Sequence, residues 1–153
     1  MASRRSGSLL QIVRCSSVYG PHQTHGSDQG VVAIFLDRIS HGQSIKVFGD
    51  GSALRDYVFV DDVAGVVSRL VLDGIDVGTV NVGSGVGLTV LDVAKTTSAA
   101  VGKEALIDHQ PERSFEVRDI VLDITRLRSF LAYTPTDFAL GLAATATTHA
   151  RTS

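Results

Sequence analysis

The sequence contains one cysteine, three prolines and no tryptophan in 153 residues. The single cysteine, Cys15, excludes an internal disulfide and says little more about the cellular compartment. No charge of one sign dominates, because 14 Lys and Arg residues stand against 16 Asp and Glu residues, for a net charge of −2. Without a basic field there is little to attract nucleic acid or an anionic membrane, so we expect neither as a partner.

Long hydrophobic runs are absent as well. No apolar stretch reaches the roughly 18 residues that a membrane-spanning helix needs. The pair Arg4-Arg5 has no long apolar run behind it, which argues against a signal peptide. Hydrophobic residues still make up 44% of the chain and charged residues 20%, which is typical of a chain that forms a core. These features predict a cytoplasmic protein of one domain, or part of a larger one.

Strand-like and helix-like patterns alternate along the chain. Residues 1–8 are polar and are expected to fray, whereas residues 9–16 have the apolar character of a buried strand. Further strands are predicted at 45–48, 57–60, 78–82 and 105–108. Helices are predicted at 31–41, 63–70, 89–101, 126–131 and 137–149. This alternation predicts an α/β fold.

Polar residues mark where two of these helices begin. Asp61 or Asp62 can cap the helix that follows them. Adjacent carboxylates on a helix do not face each other, so capping explains this pair better than a metal or acid–base site. Thr89 is the expected N-cap of the next helix, and Asp92 stands at the acidic position of a capping box.

The most informative stretch is the turn Gly49-Asp50-Gly51 with Arg55 shortly after it. A lone guanidinium beside a glycine-rich turn is an arrangement suited to holding a phosphate group. Taken alone, Arg55 is better explained as a surface arginine paired with Asp50 or Asp56. The second glycine cluster, residues 83–87, lacks the spacing and the distant acidic residue of a dinucleotide-binding loop. We therefore predict that this cluster is a turn leading into a capped helix.

Segments 13–21, 47–64, 80–93 and 113–126 together resemble the NAD-dependent sugar-nucleotide epimerase/dehydratase family, the extended short-chain dehydrogenases. The resemblance extends from residue 10 to residue 142 and is most detailed for the UDP-glucose/UDP-galactose 4-epimerase group. Several signatures in the right order are far more specific than any one of them.

Members of this family are longer, and their N-terminal half carries the NAD-binding glycine-rich loop, a catalytic Ser or Thr and a Tyr-x-x-x-Lys pair. None of the three tyrosines here has a lysine four positions after it, so no catalytic residue is assigned. The resemblance implies that residues 9–150 are the substrate-binding half, without the NAD-binding half. The implied architecture is the last strands and helices of a Rossmann-like sheet plus a small mixed α/β substrate-binding subdomain.

The resemblance also implies a set of substrate residues. Arg55 and Arg113 match two arginines that hold the substrate diphosphate from separate loops, a task that suits a planar, permanently charged group. Phe48 matches an aromatic that packs on the uracil ring. Ser17 stands at an asparagine that hydrogen-bonds the sugar nucleotide, and Glu116 at an aspartate that contacts the ribose. The plainer alternatives are solvated charges for the arginines and a core position for Phe48.

Other positions carry weaker implications. Cys15 and Ser16 stand where the family approaches the nicotinamide of NAD, although Cys15 is also explained as a small buried apolar residue. Val31 stands where 4-epimerases often place an asparagine on the phosphate, so that contact is either lost or made by the backbone. Tyr19 is interpreted as a packing residue of its turn.

A metal site is not expected. His22, His25 and Asp28 could form a loop site, but no fourth ligand stands nearby and the family uses no metal.

Two kinds of function follow. In a complete enzyme, the resemblance implies that a tyrosine takes the sugar hydroxyl proton while NAD takes a hydride from C4 and returns it to the other face. This half would bind the UDP-sugar and orient it. Dehydration, decarboxylation and 4-keto reduction are neighbouring activities of the family.

The second function is non-catalytic: a nucleotide-sugar-binding remnant, or a module that completes its fold with another chain through an exposed edge at residues 9–16. In either case we expect that the chain alone neither holds NAD nor turns over substrate. A homodimer is expected only of a full-length form, because the usual dimer helices lie in the other half.

Overall fold

The computed structural model describes residues 10–23, 30–113 and 117–152, the last three by backbone only, and in these ranges strands and helices alternate as predicted. The strands are β1 (Ile12–Cys15), β2 (Ser17–Tyr19), β3 (Ile45–Phe48), β4 (Leu54–Phe59), β5 (Thr79–Val82), β6 (Gly87–Thr89), β7 (Ile107–Gln110) and β8 (Asp119–Ile120). The helices are α1 (Val31–Ser40), α2 (Val60–Leu72), α3 (Val90–Val101), α4 (Thr125–Phe130) and α5 (Phe138–Thr152). The α/β class is confirmed.

Strand β4 connects most of the sheet structure. Its C-terminal half pairs in parallel with β2, and its N-terminal half pairs antiparallel with β6 and in parallel with β8. Two further parallel pairs, β1 with β5 and β3 with β7, flank this sheet. Because parallel strands need a crossover connection, helices cover them. In the described part of the chain, no helix combines the length and apolar character needed to cross a membrane.

Two apolar cores hold these layers together. The first lies among α1, α3, α5 and β3, where Leu36, Ile39, Ile45, Val93 and Leu142 are almost completely buried. The second packs α2 and α4 against β1, β4 and β5. Each fully buried aliphatic side chain contributes about 1.5–3 kcal/mol. The first core fixes α1 and β3 relative to each other, which matters because both reach the cleft described below.

The predicted cap of α2 is wrong, whereas the predicted cap of α3 is confirmed. Helix α2 begins at Val60 directly after β4, so no polar residue stands at its N-cap position. Asp62 instead accepts hydrogen bonds from the backbone N–H and the hydroxyl of Thr136, both at 2.8 Å, and so ties the first turn of α2 to the loop before α5. Thr89 and Asp92 form the expected capping box at α3.

Strand β1 was predicted to be buried, and this is wrong. The Ile12 side chain is 50% exposed, and Arg14 and Cys15 are exposed as well. The reason is that, within the described residues, β1 has β5 as a neighbour on one edge only. The predicted exposed edge is therefore found where the sequence placed it. The exposure of Cys15 also removes its interpretation as a buried apolar residue.

Asp56 is the polar centre of the fold. Its side chain is 1% exposed and accepts hydrogen bonds from the Ser84 N–H at 2.8 Å, the Ser84 hydroxyl at 2.7 Å, the Gly85 N–H at 3.1 Å and the Leu122 N–H at 3.2 Å. A Cβ on Gly83 would stand 2.5 Å from the Asp56 carboxylate, so glycine is required there. Residues 83–87 are thus a turn that wraps around a carboxylate and leads through β6 into α3.

Replacing Asp56 with Asn tests this network. The amide would turn an NH₂ group toward backbone donors, so we expect the free energy of unfolding to fall by about 1–3 kcal/mol. Urea unfolding measures the change. Asp108→Asn, an exposed position on β7, is the matched control and should change stability by no more than about 0.5 kcal/mol. Identical urea midpoints for wild type and Asp56→Asn would contradict a structural role for the carboxylate.

The tyrosines predict how stability depends on alkaline pH. Burial raises the pKa of Tyr57 and of Tyr133 from an ordinary value near 10 to about 12, and it also raises the pKa of Tyr19. The folded state therefore favours the neutral phenols. Stability should be intact below about pH 10 and should fall as pH rises toward about 12.

Thermal unfolding followed across this range, together with phenolate absorbance, tests the expectation. Tyr133→Phe keeps the ring but loses the hydrogen bond to the Gly83 carbonyl, and it should lose less stability above pH 10 than wild type does. A melting temperature that stays flat to about pH 12 would refute the expectation.

Candidate functional site

A cleft of about 700 Å³ lies where α1, β2, β3 and β4 meet. This volume is typical of a small-molecule site. Its walls are formed by Ser17, Val18, Tyr19, Gln23, Gly30, Val31, Val32, Ile34, Phe35, Arg38, Lys46, Phe48, Ala53, Arg55, Tyr57, Val90 and Arg113. The cleft thus brings together Ser17, Phe48, Arg55 and Arg113, which the sequence had placed in one site.

The cleft is strongly basic. Arg38, Lys46, Arg55 and Arg113 all line it, and the described lining residues include no Asp or Glu. This concentration contrasts with the net charge of −2 of the whole chain. Four cations around one concave surface attract an anionic ligand, and guanidinium groups in particular match the oxygens of phosphate.

Arg55 is positioned by the backbone of two strands. Side chains alternate along β4, so Arg55 and Tyr57 face the cleft while Asp56 faces the opposite side. The Arg55 Nη1 donates to the Leu54 carbonyl at 2.8 Å and to the Arg118 carbonyl at 2.9 Å. These two acceptors orient the guanidinium before any ligand arrives.

Strand β3 supplies a cation and an aromatic side by side. Ile45 and Val47 are fully buried, so the alternate residues Lys46 and Phe48 face the cleft. Phe48 is half-buried, and the Arg113 guanidinium carbon lies 3.5 Å from the centroid of its ring. Phe48 is therefore part of the cleft wall.

The glycine-rich turn is not part of the described cleft wall, so its own contact with phosphate stays a prediction. Gly49 and Gly51 adopt positive φ angles of 63° and 74°, and the Asp50 carboxylate accepts hydrogen bonds from the Ser52 N–H and hydroxyl. The hydrogen bonds from Ser52 hold the pKa of Asp50 below its usual value. Among the described residues that line the cleft, none belongs to 49–52. The turn reverses the chain so that β3 and β4 both face the cleft.

The start of α1 also faces the cleft. Gly30, Val31 and Val32 line it, the N-cap Gly30 offers no side-chain hydrogen bond, and the first turn holds no acidic residue. The first N–H groups of a helix lack intrahelical partners and attract anions. The Val31 side chain can make no polar contact. This arrangement therefore supports the alternative that the backbone at Val31 makes the phosphate contact.

The predicted nicotinamide residues lie outside the cleft. Cys15 is the last residue of β1 and Ser16 lies between β1 and β2, whereas the cleft wall begins at the next residue, Ser17. Partial burial raises the pKa of the Cys15 thiol, which makes it a poor nucleophile at neutral pH. The buried Ser16 hydroxyl finds no hydrogen-bond partner among the described residues. Their contact with a cofactor stays a prediction.

Some predicted positions are not described. Glu116, His25 and Asp28 lie outside the described residues, so the ribose contact stays a prediction and the expectation that this loop holds no metal is not tested. In the described ranges, no group of three or more His, Cys, Asp or Glu residues is placed to hold a metal ion.

Tyr19 is a packing residue, as expected. Its side chain is 3% exposed, and its ring packs against Phe59 and Phe138 at centroid distances of 5.7 and 5.0 Å. Its hydroxyl donates to the Phe138 carbonyl at 3.3 Å. A hydroxyl held in this way, with a raised pKa, does not suit a general base.

Sequence reasoning missed Arg38, the Lys46 side chain and Tyr57. Lys46 and Tyr57 stand two residues from Phe48 and Arg55, so strand alternation alone would have found them. Arg38 gave no such signal, because its position depends on the turn between α1 and β3. There its Nη1 donates to the Ser44 carbonyl at 3.1 Å.

The protein thus has an α/β fold and a basic cleft that suits an anionic ligand. The family model for the NAD-dependent epimerase/dehydratase family matches residues 2–83. The chain belongs to this family, whose members are NAD-dependent enzymes.

Among its relatives, the UDP-glucose 4-epimerase of Mycolicibacterium smegmatis is 40% identical over 123 residues, covering 78% of this chain and 38% of the relative. The dTDP-4-dehydro-6-deoxyglucose reductase of Escherichia coli is 32% identical over 137 residues, covering 89% of this chain and 43% of the relative.

Solved structures show the same relationship. The UDP-glucose 4-epimerase of Thermotoga maritima, determined with UDP-glucose, superposes with a TM-score of 0.90 at 34% identity, covering 98% of this chain and 48% of that one. The Thermus thermophilus UDP-glucose 4-epimerase in complex with NAD gives a TM-score of 0.85 at 30% identity, covering 95% of this chain and 48% of that one. The chain thus spans less than half the length of these relatives. The prediction of a partial extended short-chain dehydrogenase fold is confirmed.

The orientation of Arg55 yields a prediction that needs no assumption about the natural ligand. Inorganic pyrophosphate should bind the cleft, and Arg55→Ala should weaken that binding about 10- to 100-fold, because charge-assisted hydrogen bonds are lost. Isothermal titration calorimetry measures both. Arg128→Ala removes an exposed arginine of α4 away from the cleft and should leave the affinity within about twofold. Equal losses for the two variants would mean that Arg55 acts only through net charge.

Proposed function

We propose that the chain is the UDP-hexose-binding half, over residues 9–150, of an NAD-dependent sugar-nucleotide epimerase similar to the UDP-glucose 4-epimerases. The observation that carries this proposal is the cleft itself, in which an aromatic ring and several cations share one surface. An aromatic face suits a base, and neighbouring guanidinium groups suit a diphosphate. The Thermotoga maritima neighbour was determined with UDP-glucose, which agrees with this ligand class.

The order of residues along the cleft suggests how such a ligand lies. Phe48 at the end of β3 would take the pyrimidine, and Arg55 would take the diphosphate together with Arg113. Tyr57 lies two residues beyond Arg55 on β4 and pairs with Ser17 of β2. Two residues of a strand span roughly 7 Å, about the reach from a diphosphate to the sugar attached to it. The hexose would therefore lie near Ser17 and Tyr57.

The cofactor would lie beyond this sugar, at the end of β1. Within the described residues, the buried Ser16 hydroxyl has no hydrogen-bond partner and fits a polar cofactor group there. In a complete enzyme, NAD would supply the hydride chemistry, and residues of this chain would orient the sugar. Since the chain has no Tyr-x-x-x-Lys pair, we propose that it binds the substrate but does not react with it by itself.

The open edge of β1 is where a NAD-binding half would join. The Ile12 and Ser16 N–H groups bond to the β5 side, at the carbonyls of Gly78 and Val82. Alternation directs the N–H groups of Val13 and Cys15 to the other edge, where the described residues provide no strand. The relatives are about twice as long, which leaves enough chain for such strands.

A reductase of a dTDP-sugar is the second candidate, because the Escherichia coli relative has that activity by name at 32% identity. The two candidates differ in the nucleotide. Tighter binding of UDP than of dTDP supports the epimerase-like assignment, and the reverse order supports the reductase.

UDP should protect the chain against thermal unfolding, and Arg55→Ala should abolish most of that protection. The expected shift in melting temperature is small, because this chain supplies only part of the proposed binding site. Arg128→Ala should be protected as well as wild type. Absence of protection in wild type at millimolar UDP would contradict the proposed function.

Complementation tests the role of the β1 edge. The purified chain with NAD should not convert UDP-galactose to UDP-glucose, and turnover by the chain alone would refute the binding-half assignment. Addition of the separately produced NAD-binding half of a related UDP-glucose 4-epimerase should restore conversion. Val13→Pro removes one N–H from the open edge and should block this restoration while UDP binding persists. Restoration that is insensitive to Val13→Pro would show that the halves join elsewhere.

A further inference from the structure

The Arg113 guanidinium lies over one face of the Phe48 ring. Its central carbon lies 3.5 Å from the ring centroid, well within the distance of a cation–π contact. Both residues line the basic cleft. Arg113 was predicted to hold phosphate and Phe48 to hold the base, yet here the two side chains are in contact with each other.

The backbone beneath this contact is fixed, so the side chain alone decides where the guanidinium lies. Arg113 follows β7, which pairs with β3 in a register that sets Gln110 opposite Phe48. The Gly49 N–H donates to the Gln110 carbonyl at 2.9 Å. A Cβ on Gly49 would stand 3.5 Å from the Glu112 side chain, so the segment before Arg113 lies against the β3 turn. A long, exposed side chain on this anchored segment can change rotamer without moving the strands.

Resting on the proposed function, we propose that Arg113 is a specificity residue with two positions. With no phosphate in the cleft it covers Phe48, and with a diphosphate present it turns onto the phosphate oxygens and uncovers the ring for the base. The exchange is favourable because charge-assisted hydrogen bonds to phosphate are stronger than an exposed cation–π contact, and because a base stacks well on an aromatic ring.

The consequence is selection against nucleosides. A nucleoside without phosphate must displace the Arg113 guanidinium from Phe48, and it provides no phosphate oxygen to which that guanidinium could bind. A nucleoside diphosphate supplies both the stacking base and the new partner for Arg113. The site would then discriminate against uridine by more than the direct phosphate contacts account for.

The test compares uridine with UDP on the 153-residue chain by NMR titration, which detects weak binding. Arg113→Ala should bind uridine about two- to fivefold more tightly than wild type, because uridine no longer has to break an exposed cation–π contact of about that free energy. The same variant should bind UDP at least about tenfold more weakly. Arg55→Ala is the matched control, because it should weaken UDP binding and leave uridine binding unchanged. Phe48→Leu should abolish the gain for uridine when it is combined with Arg113→Ala.

A second measurement uses inorganic pyrophosphate. By drawing Arg113 off the ring, pyrophosphate should raise the affinity of wild type for uridine about two- to fivefold and shift the Phe48 ring resonances. Arg113→Ala should show neither effect.

Tighter binding of uridine together with weaker binding of UDP by Arg113→Ala supports the proposal. Equal weakening of uridine and UDP by Arg113→Ala would overturn it, because the guanidinium would then be part of the stacking platform. An unchanged uridine affinity would overturn it too. Failure of wild type to bind UDP would instead refute the proposed function, which separates the two failures.

Discussion

The buried carboxylate of Asp56 is the interaction on which the rest of the structure depends. It gathers backbone donors from the turn after β5 and from the segment after β8, and in doing so fixes β4 between them. Strand alternation then has one outcome: with Asp56 facing inward, Arg55 and Tyr57 face the cleft. A slip of the strand by one residue would place Arg55 in the buried position of the carboxylate. The backbone N–H groups would then lose their acceptor and a charge would be buried without partners, which is costly.

The segment around β8 serves both faces of β4. On one side the Leu122 N–H donates to Asp56, and on the other the Arg118 carbonyl accepts from Arg55. A single short stretch of chain therefore supports the structural carboxylate and orients the arginine of the cleft. Binding geometry and stability are coupled here, because the same backbone contacts maintain both.

Much of the fold follows from local patterns, and the departures have physical reasons. The helices and the longer strands show clear periodicity, and the capping box at Thr89 is a local signal. Strands β2, β6 and β8 have three residues or fewer and carry no period of their own, since long-range pairing with β4 creates them. The role of Asp62 was missed because its partner, Thr136, is distant in sequence. Arg38 likewise reaches the cleft through tertiary packing.

Within the described residues, β1 pairs on one side only, and this open edge bears on how much of the chain stays in solution. An edge strand with exposed apolar side chains, such as Ile12 and the nearby Leu10, is a template for any strand that meets it. Two copies that meet edge to edge bury the same surface that a completing half would use. Self-association and completion of the sheet are then competing reactions at one edge, and the amount of chain that stays in solution reports which of them prevails.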